Sequence, residues 1–184
     1  MTEEIIIAGF GGQGVLSMGK ILAYSGVMEN KEVSWMPSYG PEMRGGTANV
    51  IVIISDERIS SPIVNSFDTA IILNQQSMDK FEKTVKPGGI LIYDPNGITR
   101  HPGRKDINIY TIEAADEASK VGLSKVFNMV VLGGYLKLKP IVQAEYIRKG
   151  LEKSLPQRHH GMIPENEKAI DKGKEIIKAV HLLN

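Results

Sequence analysis

The sequence contains no cysteine and only one tryptophan among its 184 residues. Without cysteine thiolates, the chain can form no disulfide, no zinc–thiolate site and no cysteine-ligated iron–sulfur cluster of its own. Any electron-transfer centre that it works with would therefore have to lie on a partner chain.

Long apolar runs and a dominant charge are also missing. No apolar run approaches the roughly 20 residues that span a bilayer, and the acidic start MTEE leads directly into a strand, unlike a signal peptide. A net charge of +1 gives no reason to expect nucleic acid or an anionic membrane as a partner. We therefore expect a cytoplasmic protein, and 42% hydrophobic residues in a chain of this length suit one domain over residues 1–184.

Strand-like and helix-like segments alternate along the chain. Strands are predicted at 3–8, 31–36, 48–55, 67–74, 89–94 and 107–112, with a short edge strand at 59–64. Helices are predicted at 13–29, 77–85, 114–121, 126–138, 142–154 and 164–182. Ser77 is the expected cap of the second helix, and the PGG sequence at 87–89 is its expected stop. This order indicates an α/β fold, a Rossmann-like three-layer α/β/α sandwich with a mostly parallel sheet.

A glycine-rich turn follows the first strand. Its glycines are Gly9, Gly11, Gly12 and Gly14, and positions 9, 11 and 14 fit the G-x-G-x-x-G pattern that brings a phosphate to a helix N-terminus. A dinucleotide site also needs an acidic residue near the end of strand two, and positions 36–38 contain none. Two interpretations remain open. The glycines permit only a tight turn, or the turn offers its N–H groups to a partner or to an anionic ligand group.

A second unusual stretch is the loop from Pro37 to Gly46. Arg44 offers a planar fork of donors that Glu42 can orient. Tyr39 adds a flat surface with a polar tip, and the glycines of this loop permit close approach of another backbone. Because strands one and two should end at the same sheet edge, we expect this loop to neighbour the glycine turn and to serve an interface or a ligand. The open alternative is an internal salt bridge in a surface loop.

Other candidates are weaker. His159 and His160 are adjacent, so they make a poor metal pair and indicate a surface turn. His101 stands alone in a polar connection, where a solvated role is expected. Asp94 follows a strand and is expected to initiate the DPNG turn. Trp35, at the end of strand two, is a core or an interface residue, and the sequence leaves both open.

In its two unusual stretches the sequence resembles the gamma subunit of 2-oxoacid:ferredoxin (or acceptor) oxidoreductases. That family carries a G-x-G-G-Q-G-V turn, then Y-G-x-E-x-R-G-G, then a strand and an I-x-S-P segment. This chain matches with GFGGQGV, YGPEMRGG and ISSP. Two later blocks, DTAIILNQQSMDKFEKTVKPGGILIYD and KVFNMVVLGGYL, are also similar. The resemblance covers residues 3–155 and is closest to the 2-oxoglutarate type, with the pyruvate and branched-chain types left open.

The resemblance implies a subunit rather than a self-sufficient enzyme. Such complexes decarboxylate a 2-oxoacid on thiamine diphosphate, pass electrons through iron–sulfur clusters to ferredoxin, and produce an acyl-CoA. Thiamine diphosphate, Mg²⁺ and the clusters are expected on alpha, beta and delta subunits or fused domains. Consistent with this, the chain lacks a G-D-G sequence followed by N-N, the usual magnesium–diphosphate signature. We therefore expect no catalytic residue, metal or cofactor in this chain alone.

The site expected from these patterns is a ligand-binding or subunit-interface face. Its residues are Gly9, Gly11, Gly12, Gln13, Gly14, Tyr39, Gly40, Glu42, Arg44, Gly45 and Gly46. Two other classes stay open, a NAD-dependent Rossmann dehydrogenase and a non-catalytic nucleotide-binding scaffold. An isolated chain is expected to be inactive, and it could form a homodimer through a patch meant for partners.

Overall fold

A computed structural model describes residues 1–38 and 47–183 of the chain. Within these ranges seven strands form one sheet in the order β2-β3-β1-β4-β5-β6-β7. The strands are β1 (Thr2–Phe10), β2 (Glu32–Ser38), β3 (Thr47–Ser55), β4 (Phe67–Ile72), β5 (Val85–Tyr93), β6 (Asn108–Thr111) and β7 (Lys178–His181).

The sheet is mostly parallel in strand direction, as predicted. Strands β1, β4, β5 and β6 are parallel neighbours. Strand β3 lies antiparallel between β1 and β2, and β7 lies antiparallel against β6. Five of the seven described strands therefore run one way, and β1 and β2 both end at the same edge of the sheet.

In the described part of the chain, six α-helices cover the sheet unequally. They are α1 (Val15–Met28), α2 (Gln75–Phe81), α3 (Ala114–Lys120), α4 (Phe127–Leu138), α5 (Ala144–Ser154) and α6 (Ile163–Ile176). Side chains on β1 alternate between two cores: Ile5 and Ile7 pack with α1 and α3–α6, whereas Ile6 and Ala8 pack with α2. The three-layer sandwich is confirmed, with one thick and one thin helical layer.

Helix α4 is buried almost all round, as predicted from its apolar sequence. It crosses α6 at close range because each helix has a glycine at the crossing point. A Cβ on Gly133 would overlap the carbonyl oxygen of Ile170, and a Cβ on Gly173 would overlap the carbonyl oxygen of Val130. The crossing therefore brings backbone against backbone.

The C-terminal end differs from the prediction of a helix over 164–182. Helix α6 ends at Ile176, and β7 follows from Lys178 to His181. The backbone groups of Lys178–His181 pair along the open side of β6. This pairing overrides the helical pattern of the sequence.

Three local predictions are also wrong. The PGG sequence does not stop a helix but lies inside β5, where Gly88 has a φ of 80°. Asn74, rather than Ser77, caps α2, because its side chain accepts a hydrogen bond from the Ser77 N–H. Residues 59–64 form no strand, since the Ser61 hydroxyl accepts the Ile63 N–H and Pro62 has no N–H to donate.

Candidate functional site

The glycine turn joins the end of β1 to the start of α1. Its N–H at Gln13 donates to the Phe10 carbonyl at 3.2 Å. Gly12 and Gly14 have φ angles of 94° and 73°, which L side chains rarely adopt. Gly11 and Gly12 are exposed, whereas Gly9 is buried at the end of the strand.

The Gln13 side chain folds back over the turn. Its Oε1 accepts the Phe10 N–H at 2.6 Å, and its Nε2 donates to the Leu73 carbonyl at 3.2 Å. A Cβ on Gly9 would lie 2.5 Å from that Oε1 and 2.9 Å from the Cβ of Leu73. Only glycine at position 9 therefore leaves room for Gln13 to bridge the turn and the end of β4.

Helix α4 meets the same turn from the other side. The Nδ2 of Asn128 donates to the Gly14 carbonyl at 3.2 Å. A Cβ on Gly14 would lie 2.5 Å from that Nδ2. The start of α1 and the start of α4 are therefore held together at this point.

The N-terminus of α1 is suited to an anion. Within the described residues it receives no side-chain cap, and its first turn contains no acidic residue. The partial positive charge of a helix N-terminus favours a negatively charged group there. This helix end opens onto a cleft of about 480 Å³ whose lining includes Gly12, Gly14, Ser17, Lys125, Asn128 and His159.

The side chains that line the cleft also favour an anion there. Among the described residues that line it, Lys125 carries a charge, the imidazole of His159 is a further polar group, and no carboxylate is present. The exposed His159 lies in a short 3₁₀ segment, where its Nε2 is 3.2 Å from the Nε of Arg158. The surface position predicted for His159 is thus correct, but its place at the cleft was missed.

Sequence reasoning also missed Lys125 and Asn128. Both lie in the block KVFNMVVLGGYL that resembles the family, but the block does not show that they lie at the cleft, because the contact between Asn128 and Gly14 spans 114 positions of sequence. The signal that was available is weak: both are polar side chains at the start of an otherwise apolar helix.

The second predicted half of the site lies outside the described residues. It comprises Tyr39, Gly40, Glu42, Arg44, Gly45 and Gly46, and their predicted roles stay predictions. The two ends of this segment are described. Ser38 is opposite Asn49 in the sheet, and Thr47 is opposite Phe10, which directly precedes the glycine turn. Both ends therefore lie at the sheet edge that carries the turn.

Asp94 is used for structure. It is 4% exposed and accepts the Asn96 and Ala115 N–H groups, each at 3.0 Å. Burial raises the pKa of its carboxyl above the ordinary value, although these N–H groups oppose the shift. Its predicted role in the DPNG turn is confirmed, and it also holds the start of α3.

His101 and Trp35 both lie at the surface of the fold. His101 is exposed, but its Nδ1 lies 3.0 Å from the hydroxyl of buried Tyr93, so it packs on the fold instead of standing alone in solvent. Trp35 is 39% exposed on β2 and lines an apolar groove with Tyr24 and Val27 of α1. Among the described strands, β2 pairs with β3 alone, so Trp35 lies on an edge strand of the sheet.

The described part of the chain lacks two features. It contains no cluster of three or more His, Cys, Asp or Glu side chains arranged to hold a metal ion. In the same ranges, no helix has the length and apolarity needed to cross a bilayer.

Fold and site together define a Rossmann-like α/β domain whose glycine turn faces a cationic cleft and lacks the acid of a dinucleotide site. The chain belongs to the pyruvate ferredoxin/flavodoxin oxidoreductase family, whose model matches residues 4–176. The family resemblance seen in the sequence motifs is thereby confirmed.

The chain matches a different share of each relative's length. The 2-oxoglutarate synthase subunit KorC of Methanocaldococcus jannaschii is 37% identical over 181 residues, which cover 97% of this chain and 95% of KorC. The ketoisovalerate oxidoreductase subunit VorA of Methanothermobacter thermautotrophicus is 44% identical over 135 residues, covering 73% of this chain but only 28% of VorA. The solved keto/oxoacid ferredoxin oxidoreductase gamma subunit from Geobacter sulfurreducens has a TM-score of 0.82 at 29% identity, with 96% of each chain covered.

Proposed function

We propose that this chain is the gamma-type subunit of a thiamine-diphosphate-dependent 2-oxoacid:ferredoxin oxidoreductase. One observation carries the proposal: the chain corresponds almost end to end to a 2-oxoglutarate synthase subunit. Alpha and beta subunits, with a delta subunit or a fused domain, would hold the thiamine diphosphate, Mg²⁺ and iron–sulfur clusters. Thiamine diphosphate would supply the decarboxylation chemistry there. The clusters would lie on the partners because this chain has no cysteine to ligate them.

In this proposal the chain binds and positions, and it performs no bond-breaking step. The uncapped start of α1, with Lys125 and His159, would hold an anionic part of coenzyme A or of the substrate. The loop containing Glu42 and Arg44 would complete the same face, with Arg44 as the anchor and Glu42 as its orienting partner. That face would dock on the catalytic subunits and close the active-site region.

The proposed 2-oxoacid is 2-oxoglutarate, because the relative matched over its whole length is a 2-oxoglutarate synthase subunit. A second candidate is 2-oxoisovalerate, since VorA is more identical within the shorter matched part. The test is co-expression of the chain with its alpha and beta partners, followed by reduction of a low-potential acceptor at saturating coenzyme A. We expect the highest kcat/KM with 2-oxoglutarate. A preference for 2-oxoisovalerate or pyruvate would reassign the substrate and leave the class intact.

Two variants test the role of the chain within such a complex. We expect Arg44→Ala to lower assembly or turnover, and unchanged assembly and turnover would contradict its role as anchor. We expect Lys125→Ala to raise the KM for coenzyme A about tenfold, the usual loss for a hydrogen bond to a charged group. Lys153→Ala is the matched control, because Lys153 is exposed on α5 away from the cleft lining.

The two alternative classes predict different results. A nicotinamide-dependent dehydrogenase would bind NAD or NADP as an isolated chain, which calorimetry measures directly. A nucleotide-binding scaffold would fail to associate with thiamine-dependent subunits. Co-purification of alpha and beta chains, together with no heat of binding for NAD or NADP, would remove both alternatives.

A further inference from the structure

Two amide side chains approach the glycine turn from opposite sides. Gln13 bridges the turn to the end of β4, and Asn128 bridges it to the start of α4. From this geometry we infer that Gln13 and Asn128 are positioning residues, which hold the N–H groups of the turn and of the α1 start in their anion-accepting arrangement. The inference rests on the function proposed above for the cleft.

Gln13 differs from the glycines around it because its side chain forms hydrogen bonds. Its acceptor takes the Phe10 N–H and its donor reaches the Leu73 carbonyl, so its amide bonds to the backbone of its own chain. One bonded group belongs to Phe10 at the end of β1, and the other belongs to Leu73, the residue just after β4. Gln13 therefore sets how the turn leaves the sheet, and it acts on a ligand through the turn rather than by contact.

Asn128 fixes the other side of the same turn. It donates to the Gly14 carbonyl, which also accepts the Met18 N–H at 2.9 Å in the first turn of α1. Because Lys125 lies just before α4 and Asn128 is in its first turn, this bond also sets where Lys125 stands relative to the start of α1. The start of α1 and Lys125, which would bind the same anion, are thus held in fixed positions relative to each other.

The chemistry of Gln13 gives a discriminating variant. Gln13→Glu keeps an acceptor for the Phe10 N–H, but an ionised carboxylate has no proton to donate to the Leu73 carbonyl. A protonated glutamic acid offers both an acceptor and a donor. The defect of Gln13→Glu should therefore be reversed at low pH, whereas the defect of Gln13→Met should persist at every pH. A role in packing alone would not produce this difference.

The first measurement uses the full chain alone and follows its backbone amides by NMR. We expect Gln13→Met to shift the amide signals of Gly11–Val15 and to speed their hydrogen exchange about tenfold. The signals of Gln13→Glu should return toward the wild-type positions as the pH falls from about 7 to about 3, because an ordinary glutamic acid is half protonated at about pH 4.3. The control is Gln143→Met, because the amide of the exposed Gln143 bonds to Glu29, outside the cleft lining. Unchanged turn signals in Gln13→Met would overturn the inference.

The second measurement uses the assembled complex with coenzyme A as the varied substrate. We expect Gln13→Met and Asn128→Ala to raise the KM for coenzyme A about tenfold while the KM for the 2-oxoacid stays unchanged. Shifted turn signals with an unchanged KM for coenzyme A would overturn the link between turn and ligand. The proposed function fails separately: in that case the wild-type chain assembles no complex with coenzyme-A-dependent activity, whatever the NMR spectra show.

Discussion

Replacing each of the two left-handed glycines of the glycine turn by alanine gives a matched pair of perturbations. Gly12 and Gly14 lie two positions apart in one turn, with φ angles of 94° and 73°. An added Cβ on Gly12 meets nothing within 4 Å, whereas one on Gly14 meets the Asn128 side chain at 2.5 Å. The pair therefore separates backbone strain from strain plus collision.

The expected magnitudes follow from these surroundings. A left-handed alanine costs about 1–2 kcal/mol, and reduced freedom of the unfolded chain offsets about 0.4–1 kcal/mol of that. Gly12→Ala should therefore lower the free energy of unfolding by about 1 kcal/mol. Gly14→Ala adds a collision worth about 1–3 kcal/mol, so its total should be about 3 kcal/mol. The difference corresponds to roughly a thirtyfold change in the ratio of folded to unfolded chain.

Urea unfolding followed by circular dichroism measures both free energies by linear extrapolation. The Asn128→Ala background supplies the internal check, because it removes the Nδ2 and Cγ atoms, at 2.5 and 2.7 Å from the new Cβ, and leaves only the Asn128 Cβ at 3.1 Å. In that background the cost of Gly14→Ala should fall toward the cost of Gly12→Ala. Equal costs in the wild-type background, or a Gly14→Ala cost that ignores Asn128, would refute the packing described for this turn.

Three further outcomes follow from other parts of the fold. Lys31 and the N-terminal ammonium lower the pKa of Asp56 to about 2. The stabilising contribution of Asp56 is therefore present above the ordinary carboxyl pKa and is lost as the pH falls through about 2. Carboxyl NMR should show that Lys31→Met returns the pKa of Asp56 toward the ordinary value. Burial raises the pKa of Asp94, so the free energy of unfolding should decline as the pH rises through that pKa. Urea unfolding at several pH values should show that Asp94→Asn lacks this decline. Gly173→Ala pushes a methyl group against the Val130 carbonyl and should cost about 1–3 kcal/mol in the same urea assay; a cost near zero would contradict the close crossing of α4 and α6.

Features determined by neighbouring residues could be predicted from the sequence. The run Ile5–Ala8 followed by glycines indicated a strand, a turn and a helix start, and all three are present. The apolar stretch up to Leu138 indicated a buried helix, which is α4. In each case the hydrophobic pattern and the backbone preferences of glycine act within a few residues of each other.

Features that depend on distant pairing could not be predicted in this way. Residues 178–181 read as the end of a helix, and only the open side of β6 makes them a strand. The cleft also depends on contacts between distant parts of the sequence. Lys125 and His159 line the same cleft as the glycine turn because segments that are far apart in sequence pack together, so no local spacing predicts their position. The turn was therefore visible in the sequence, whereas its cationic surroundings were not.

Trp35 gives the chain an intrinsic optical reporter. It is the single tryptophan of the sequence, and it lies half-exposed on an edge strand, two positions before the loop from Pro37 to Gly46 that is proposed to dock. Indole emission moves to shorter wavelength when water leaves the ring, so a partner that covers this edge would shift the fluorescence without any label. Because one residue produces the whole tryptophan signal of this chain, a titration with partner chains that lack tryptophan would report the edge strand alone.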